Sequence, residues 1–188
     1  PRHFSRIAAA ELQLPEAFPD AAIAQAERAE VPTPAGRIDL REVPLITIDG
    51  ADARDFDDAV HATADDDPGN PGGFRLIVAI ADVAHYVRTG DPLDETARER
   101  GNSVYFPDRV IPMLPEALSN GLCSLRPGEP RGCLAVEMVI DADGKLTAHR
   151  FGRGLMRSAA RLTYEQVQNA VDGAPDDVTG PLLEPVIR

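Results

Sequence analysis

The chain has 188 residues, of which 43% are hydrophobic, and its formal net charge is −12 at pH 7. This length suffices for one domain with a hydrophobic core and a small appendage. No apolar run approaches the roughly 20 residues that cross a bilayer, and PRHFSRIAAAEL lacks a signal peptide's apolar core. We therefore expect no membrane association and a cytoplasmic location. Cys123 and Cys133 lack CxxC spacing, so we expect buried free thiols rather than a disulfide.

The negative charge bears directly on the partners that the chain could bind. Taken alone, it argues against nucleic-acid binding, because phosphate contacts need lysine and arginine. Part of the excess is local, however, since residues 49–58 contain five aspartates and one arginine. Divalent cations bound at that stretch would leave the site far less negative than the composition indicates.

The pattern of residues 1–37 predicts a peripheral helix and a linker that leads from an upstream domain. PEAFPDAAIAQAERAE favours a short helix after Pro19, with Asp20 near its start. The prolines and the glycine of VPTPAGR cannot continue a helix and indicate a connector. From Ile38 the pattern changes, and we assign residues 38–188 to the main domain.

The first half of the main domain alternates apolar strands with polar segments. VPLITI is typical of a short buried strand, DDDPGNPGG indicates a surface loop, and FRLIVAIADVAHYV predicts a strand covered on both faces. DPLDETARERG predicts an exposed helix that ends at Gly101. The proline-rich SVYFPDRVIPMLPEALSNGLCSL allows one helical turn near residues 115–118.

The second half contains the clearest local signals. CLAVEMVIDADGKLTAHRFGRGLM alternates apolar and polar residues on both sides of a DADG turn, which predicts a hairpin. LTYEQVQNAV predicts a helix with a capping box between Thr163 and Gln166, and PLLEPVIR predicts the start of another helix. Together these elements predict a mixed α+β (α/β) domain with a mixed or antiparallel sheet flanked by helices.

The stretch TIDGADARDFDDAV places five carboxylates within ten residues: Asp49, Asp52, Asp55, Asp57 and Asp58. A solvated loop is the usual structure of a charge run, but Phe56 and the strand-like residues after it fit that interpretation poorly. An acidic helix face is disfavoured, because aspartate is a weak helix former and stacked like charges repel. An EF-hand loop needs a glutamate at its twelfth position, and no aspartate of the stretch has one there.

The remaining interpretation of the stretch is a site for Mg²⁺ or Mn²⁺, which prefer carboxylate oxygens. Adjacent Asp57 and Asp58 would point to opposite faces of a regular strand. Both can converge with Asp49 only if the backbone is irregular, as in many active-site loops. Bound cations would offset the repulsion, and a pair of ions suits phosphoryl chemistry.

Several motifs together carry a family resemblance: TIDGADARDFDDAV, RLIVAIADVAHYV, SVYFPDRVIPMLPEALSNGLCSL and ARLTYEQV. Their order and spacing closely resemble the catalytic (RNB) domain of the ribonuclease II and ribonuclease R family. The resemblance covers residues from about 36 to at least 171. It implies a 3′→5′ exoribonuclease that hydrolyses single-stranded RNA processively and releases nucleoside 5′-monophosphates with Mg²⁺.

The resemblance also implies roles for individual residues. The four catalytic and metal-binding aspartates of the family fall on Asp49, Asp55, Asp57 and Asp58, whereas Asp52 occupies a variable position. A tyrosine that stacks near the 3′-terminal base falls on Tyr105, and one near the scissile phosphate falls on Tyr164. Stacking suits an enzyme that grips any base, because every base has a π-face. Either tyrosine could instead pack in the core.

Other polar residues have simpler expected roles. We expect Asp82, at the end of an apolar strand, to satisfy backbone donors, and Arg54 to pair with a nearby acid. His61, His85 and His149 have no ligand spacing among themselves and are interpreted as structural.

Members of the resembled family also carry segments that this sequence does not show, including OB-fold RNA-binding domains and the rest of the catalytic domain. We therefore expect the chain to be the N-terminal part of that domain and to be inactive alone. Its expected partners are single-stranded RNA and the rest of the same polypeptide, and the expected oligomeric state is a monomer. Two other functions stay open. One is a different metal-dependent phosphodiesterase acting on DNA or nucleotides, and the other is a non-catalytic, nuclease-like binding or scaffold domain.

Overall fold

A computed structural model describes the backbone of residues 2–187 and the side chains of residues 4–183. The chain forms two compact units. The smaller unit comprises the residues up to Glu30 together with Val83–Leu122, and the larger one comprises Val31–Asp82 and the residues from Cys123 onward. These units are defined by packing within this chain, so the domain boundary predicted after residue 37 stays a prediction.

The secondary structure is mixed throughout the described residues. The strands are β1 (Ile38–Leu40), β2 (Ile46–Asp49), β3 (Asp58–Ala64), β4 (Phe74–Ala81), β5 (Val104–Phe106), β6 (Arg109–Ile111), β7 (Pro130–Ile140), β8 (Leu146–Arg157) and β9 (Ala160–Thr163). The helices are α1 (Arg2–Glu11), α2 (Asp20–Glu27), α3 (Val83–Tyr86), α4 (Pro92–Arg100), α5 (Tyr164–Val171) and α6 (Thr179–Ile187), with a π-helix at Ala117–Leu122. No helix in this part of the chain is both long and apolar enough to cross a membrane.

The larger unit is built on a sheet with the strand order β1-β8-β7-β4-β3-β2-β9. β1 pairs with β8 and β2 pairs with β9 in parallel, whereas the other neighbours are antiparallel. The predicted mixed α+β class is thereby confirmed. The predicted hairpin is also confirmed, because β7 and β8 pair from Pro130↔Arg157 to Ile140↔Leu146 around the DADG turn.

A hydrophobic cluster lies beneath the β2–β9 side of the sheet. Its buried members are Ile46, Ala160, Leu162, Ala170 and Leu183. These residues come from β2, β9, α5 and α6, so the two helices are attached to the two strands by apolar burial. α5 begins with the predicted capping box, in which the Thr163 hydroxyl accepts from the Gln166 amide and the Gln166 side chain accepts from the Thr163 amide.

The smaller unit combines helices with a short hairpin of β5 and β6. The predicted helix α4 has the Asp91 carboxylate as its N-cap and ends at Gly101, whose φ of 77° favours glycine. Gln25 of α2 donates to the Tyr86 carbonyl and to the Asp91 carboxylate. The single turn predicted near residues 115–118 was wrong in extent, since a π-helix runs over Ala117–Leu122. The helix α1 had not been predicted.

The prediction for β4 was correct in position and wrong in burial. The strand lies inside the sheet and is hydrogen-bonded to β3 and β7 along both edges. Its faces are only partly covered, and Ile80 is 45% exposed. The continuous apolar run therefore indicated an interior strand and not two covered faces.

Candidate active site

The acidic loop, defined here as residues 50–57, connects β2 to β3. Asp49 is the last residue of β2, and Asp58 is the first of β3. The two strands are in register only at Ile46↔Val60, so they have separated before the loop begins. The predicted irregular backbone is confirmed, because the loop itself contains no helix or strand.

The segment after Cys123 holds one side of the acidic loop. The buried Ser124 hydroxyl accepts a hydrogen bond from the Phe56 amide at 3.2 Å and donates to the Arg54 carbonyl at 3.0 Å. The Leu125 amide donates to the Phe56 carbonyl at 2.6 Å. Phe56 is 8% exposed, so an aromatic ring anchors the loop between Asp55 and Asp57.

Arg161 of β9 holds another part of the acidic loop. Its Nη2 atom donates to the Gly50 carbonyl at 3.1 Å and to the Ala51 carbonyl at 2.6 Å. Its guanidinium carbon lies 4.9 Å from the centre of the Phe56 ring. No role had been predicted for Arg161. An ion pair was predicted instead for Arg54, which forms none among the described side chains. The position of Arg161 directly before LTYEQV was the one sequence feature that could have indicated its role near the site.

The predicted aspartates are close enough to affect one another electrostatically. Burial raises the pKa of Asp49, and the charges of Asp58, Asp57 and Asp55 raise it further, while Arg161 opposes them. Burial also raises the pKa of Asp57, with Asp58 and Asp55 acting in the same direction against a hydrogen bond from its own backbone. These carboxylates therefore share one region of negative potential.

The acidic loop offers the carboxylate oxygens that hard cations prefer, but its side chains do not form a complete coordination shell. The Asp49 Oδ2 atom is buried and has no hydrogen-bond partner, and an ion is one natural partner for such an oxygen. Among the described side chains, no group of three or more histidines, cysteines and acids is arranged to hold a metal ion. Mg²⁺ usually keeps waters and takes only one or two protein carboxylates, so the donors fit, and metal binding by this set stays a prediction.

The two predicted RNA-binding tyrosines are both at the surface. Tyr105, on β5 of the smaller unit, is 64% exposed, and Tyr164 is 61% exposed. The alternative that either packs in the core is therefore wrong. Tyr164 follows Thr163, which is the register partner of Asp49, so this tyrosine leaves the sheet beside the acidic loop. Their contacts with RNA stay predictions.

Asp82 has a different role from the one expected. It is 4% exposed, and its Oδ2 atom lies 2.8 Å from Nη2 of Arg37 and 3.5 Å from Nη1 of Arg153. Arginines, rather than backbone donors alone, therefore satisfy this carboxylate. The expectation of buried free thiols is confirmed for both cysteines, and burial raises the pKa of Cys123 to about 12 and that of Cys133 to about 11.

The fold and the acidic loop define the class of this domain: a mixed α+β domain with a carboxylate-rich strand end. A family model described as RNB domain matches residues 37–184, and the chain belongs to that family. It is 52% identical over 168 residues to ribonuclease R of Escherichia coli, a match that covers 87% of this chain and 20% of that protein. The chain thus spans about a fifth of the length of this relative.

Solved structures give the same result. Mycoplasma genitalium RNase R in complex with ribose methylated single-stranded RNA is 30% identical, with a TM-score of 0.83, over 93% of this chain and 27% of that one. The same protein in complex with double-stranded RNA is 29% identical, with a TM-score of 0.85, over 95% of this chain and 32% of that one. The observed fold is therefore that of the RNB domain in RNase R.

Proposed function

We propose that this chain forms part of the catalytic domain of a 3′→5′ exoribonuclease that hydrolyses single-stranded RNA processively to nucleoside 5′-monophosphates. One observation carries the proposal: the RNB family match includes the acidic loop, where the family's aspartates share a region of negative potential. The similarity to a protein named ribonuclease R, and to one solved with single-stranded RNA, supports the same substrate class.

The acidic residues would divide the chemical work among themselves. Asp49, Asp55 and Asp58 would hold Mg²⁺ or Mn²⁺, directly or through water, with the unpartnered Oδ2 atom of Asp49 as the most available donor. When bound, such ions neutralise phosphate charge and make a bound water more acidic. Asp57 would ligate a second ion or orient the attacking water toward the last phosphodiester.

The exposed aromatic residues would hold the RNA end. Tyr164 leaves the sheet beside Asp49, a position suited to contact with the scissile phosphate. Tyr105 is exposed on a hairpin strand, and an exposed aromatic ring can stack on a base. The 2′-hydroxyls of the substrate would provide the preference for RNA over DNA.

The decisive variant is Asp57→Asn in the full-length protein, because it removes the charge and nearly keeps the shape. We expect hydrolysis of single-stranded RNA to fall by about 100-fold to 10,000-fold, while RNA affinity measured in chelator is retained. Asp52→Asn is the matched control, since Asp52 is exposed and occupies the variable position of the motif. Nearly normal turnover in Asp57→Asn would reject the assignment.

A substrate panel tests the class of reaction. The full-length protein with Mg²⁺ should degrade single-stranded RNA, leave single-stranded DNA of the same sequence largely intact, and release 5′-monophosphates one at a time. Preference for DNA or for free nucleotides would favour a different metal-dependent phosphodiesterase. Duplex RNA with a 3′ overhang belongs in the panel, because one similar protein was solved with double-stranded RNA.

A second candidate function is a non-catalytic RNA-binding or scaffold domain. The observation that favours it is the lack of a preassembled three-ligand metal group among the described side chains. A full-length protein that binds RNA and cuts no member of the panel with Mg²⁺ or Mn²⁺ would establish this alternative. The inactivity of the 188-residue chain alone, the OB-fold domains, the monomeric state and the cytoplasmic location remain predictions.

A further inference from the structure

Arg161 contacts both ends of the acidic loop. In the parallel register of β2 and β9 it lies opposite Thr47, two residues before Asp49. Its Nη2 atom donates to the carbonyls of Gly50 and Ala51, where the loop begins. The carbon of the same guanidinium group lies over the ring of Phe56, near the end of the loop. One side chain thereby contacts the loop both just after Asp49 and between Asp55 and Asp57.

The choice of acceptors by Arg161 is unusual for an arginine in an acidic region. Among the described side chains it forms no ion pair within 4.0 Å. Its Nη2 atom donates to uncharged carbonyls, whereas its buried Nε atom and the buried Oδ2 atom of Asp49 both have no hydrogen-bond partner. The arginine therefore organises the backbone without occupying the carboxylate oxygens, which stay available to other ligands.

Only arginine can make this set of contacts. Its planar guanidinium group presents several donors in a rigid fork and also stacks on an aromatic face. A lysine ammonium could reach one of the two carbonyls and would retain the positive charge, but it has no plane to lie against Phe56. A comparison of lysine with an uncharged residue at this position therefore separates geometry from charge.

We propose that Arg161 is a positioning residue that holds the acidic loop in the conformation from which its aspartates act. Its effect on the loop stands on the contacts above, and its effect on hydrolysis rests on the proposed function. The competing interpretation is that Arg161 acts only as a positive charge near Asp49. The two interpretations predict opposite signs for cation binding, since removing a mere charge would strengthen the attraction of a divalent ion.

The experiment compares Arg161→Lys and Arg161→Met with the unchanged protein in the same full chain. Hydrogen exchange is followed at the amides of Ala53 and Phe56, which bond to the Gly50 carbonyl and to the Ser124 hydroxyl. We expect exchange to be about tenfold faster in both variants, the change that corresponds to loss of a hydrogen bond from a charged donor. Amides of β7 should be unaffected.

Mn²⁺ binding, measured by electron paramagnetic resonance, shows whether loss of Arg161 weakens or strengthens the affinity for a divalent cation. We expect both variants to bind Mn²⁺ about 10-fold to 100-fold more weakly than the unchanged protein, with lysine giving no full rescue. Arg150→Lys and Arg150→Met are matched controls, because Arg150 pairs with Glu137 on the hairpin. Tighter Mn²⁺ binding by Arg161→Met, or unchanged exchange in Arg161→Lys, would overturn the positioning role.

Failure of the proposed function would look different. If the unchanged protein and Asp49→Asn bound Mn²⁺ equally weakly, metal-assisted hydrolysis would be rejected, while the exchange rates would still decide whether Arg161 holds the loop. If Arg161→Met did not fold, Arg161→Lys and Phe56→Leu would give the same decision. Faster exchange at Ala53 in Phe56→Leu is expected, because that variant removes the ring over which the guanidinium carbon lies.

Discussion

The β7–β8 hairpin and the acidic loop show two ways in which a sequence sets a conformation. In the hairpin the partners are close in sequence, and the Asp141 carboxylate accepts from the amides of Asp143 and Lys145 within the turn. In the acidic loop the decisive partners are Ser124 and Arg161, which are far away along the chain. The hairpin is therefore specified locally, whereas the site depends on completed tertiary structure.

The largest effect should come from the core beneath the site. Leu162 is fully buried in the cluster that joins β9 to α5 and α6. We expect Leu162→Ala to lower the free energy of unfolding by about 2–5 kcal/mol, as measured by urea denaturation. Leu134→Ala on β7, where Leu134 is 47% exposed, is the control and should cost less than about 1 kcal/mol. Equal losses would show that the hairpin depends on burial as much as the site does.

The next effect concerns the hydroxyl that holds the loop. Ser124→Ala leaves the Phe56 amide and the Arg54 carbonyl without their partner, and unsatisfied buried groups are costly. We expect a loss of about 1–3 kcal/mol in the free energy of unfolding. Thr147→Ala removes an exposed hydroxyl that donates to the Val139 carbonyl of the hairpin, and it should change stability by no more than about 0.5 kcal/mol.

The response to pH and Mg²⁺ should distinguish the two regions further. The pKa values of Asp49 and Asp57 are raised in the folded state, so the folded state binds protons at these carboxylates more tightly than the unfolded state does. This contribution favours the folded state below the ordinary aspartate pKa and is lost as pH rises through the raised values. Near neutral pH, Mg²⁺ at a concentration about tenfold above its dissociation constant should raise the free energy of unfolding by about 1.4 kcal/mol. This gain should disappear at about pH 4.

Thermal denaturation of two aspartate variants checks that response. Asp49→Asn in chelator should melt at a higher temperature than the unchanged protein near neutral pH, because one repelling charge is gone, and it should lose the response to Mg²⁺. Asp143→Asn, in the turn of the hairpin, should keep the response. If Mg²⁺ did not change the melting temperature of the unchanged protein at any pH, that result would contradict a metal site in the acidic loop.

The smallest effect should be found on the surface of the hairpin. Arg150 and Glu137 face each other across β8 and β7 with an N–O distance of 2.9 Å, and both are solvent-accessible. A double-mutant cycle should give a coupling energy of about 0.2–1 kcal/mol. A coupling above about 2 kcal/mol would mean that the hairpin is stabilised by specific charge pairing and not chiefly by its backbone pairing.

The same contrast explains what the sequence could predict. Alternation, turn residues and the Thr163–Gln166 capping box are local patterns, and the elements they predicted are present. The acidic stretch predicts a candidate metal site from the same kind of local pattern, and that site stays a prediction. Arg161 could not be found in this way, since its contacts depend on β9 lying beside β2. Exposure of Ile80 was missed because an apolar run reports strand position and not the covering of each face.

The separation between Arg161 and Gly50, 111 positions along the chain, has a consequence for biosynthesis. A nascent polypeptide that has been extended only to the end of β8 already contains all the aspartates but lacks the strand that braces them. Closing so long a loop is entropically costly and slow compared with forming a hairpin. The acidic loop can therefore gain its contacts with Arg161 only after β9 has been made and has paired with β2.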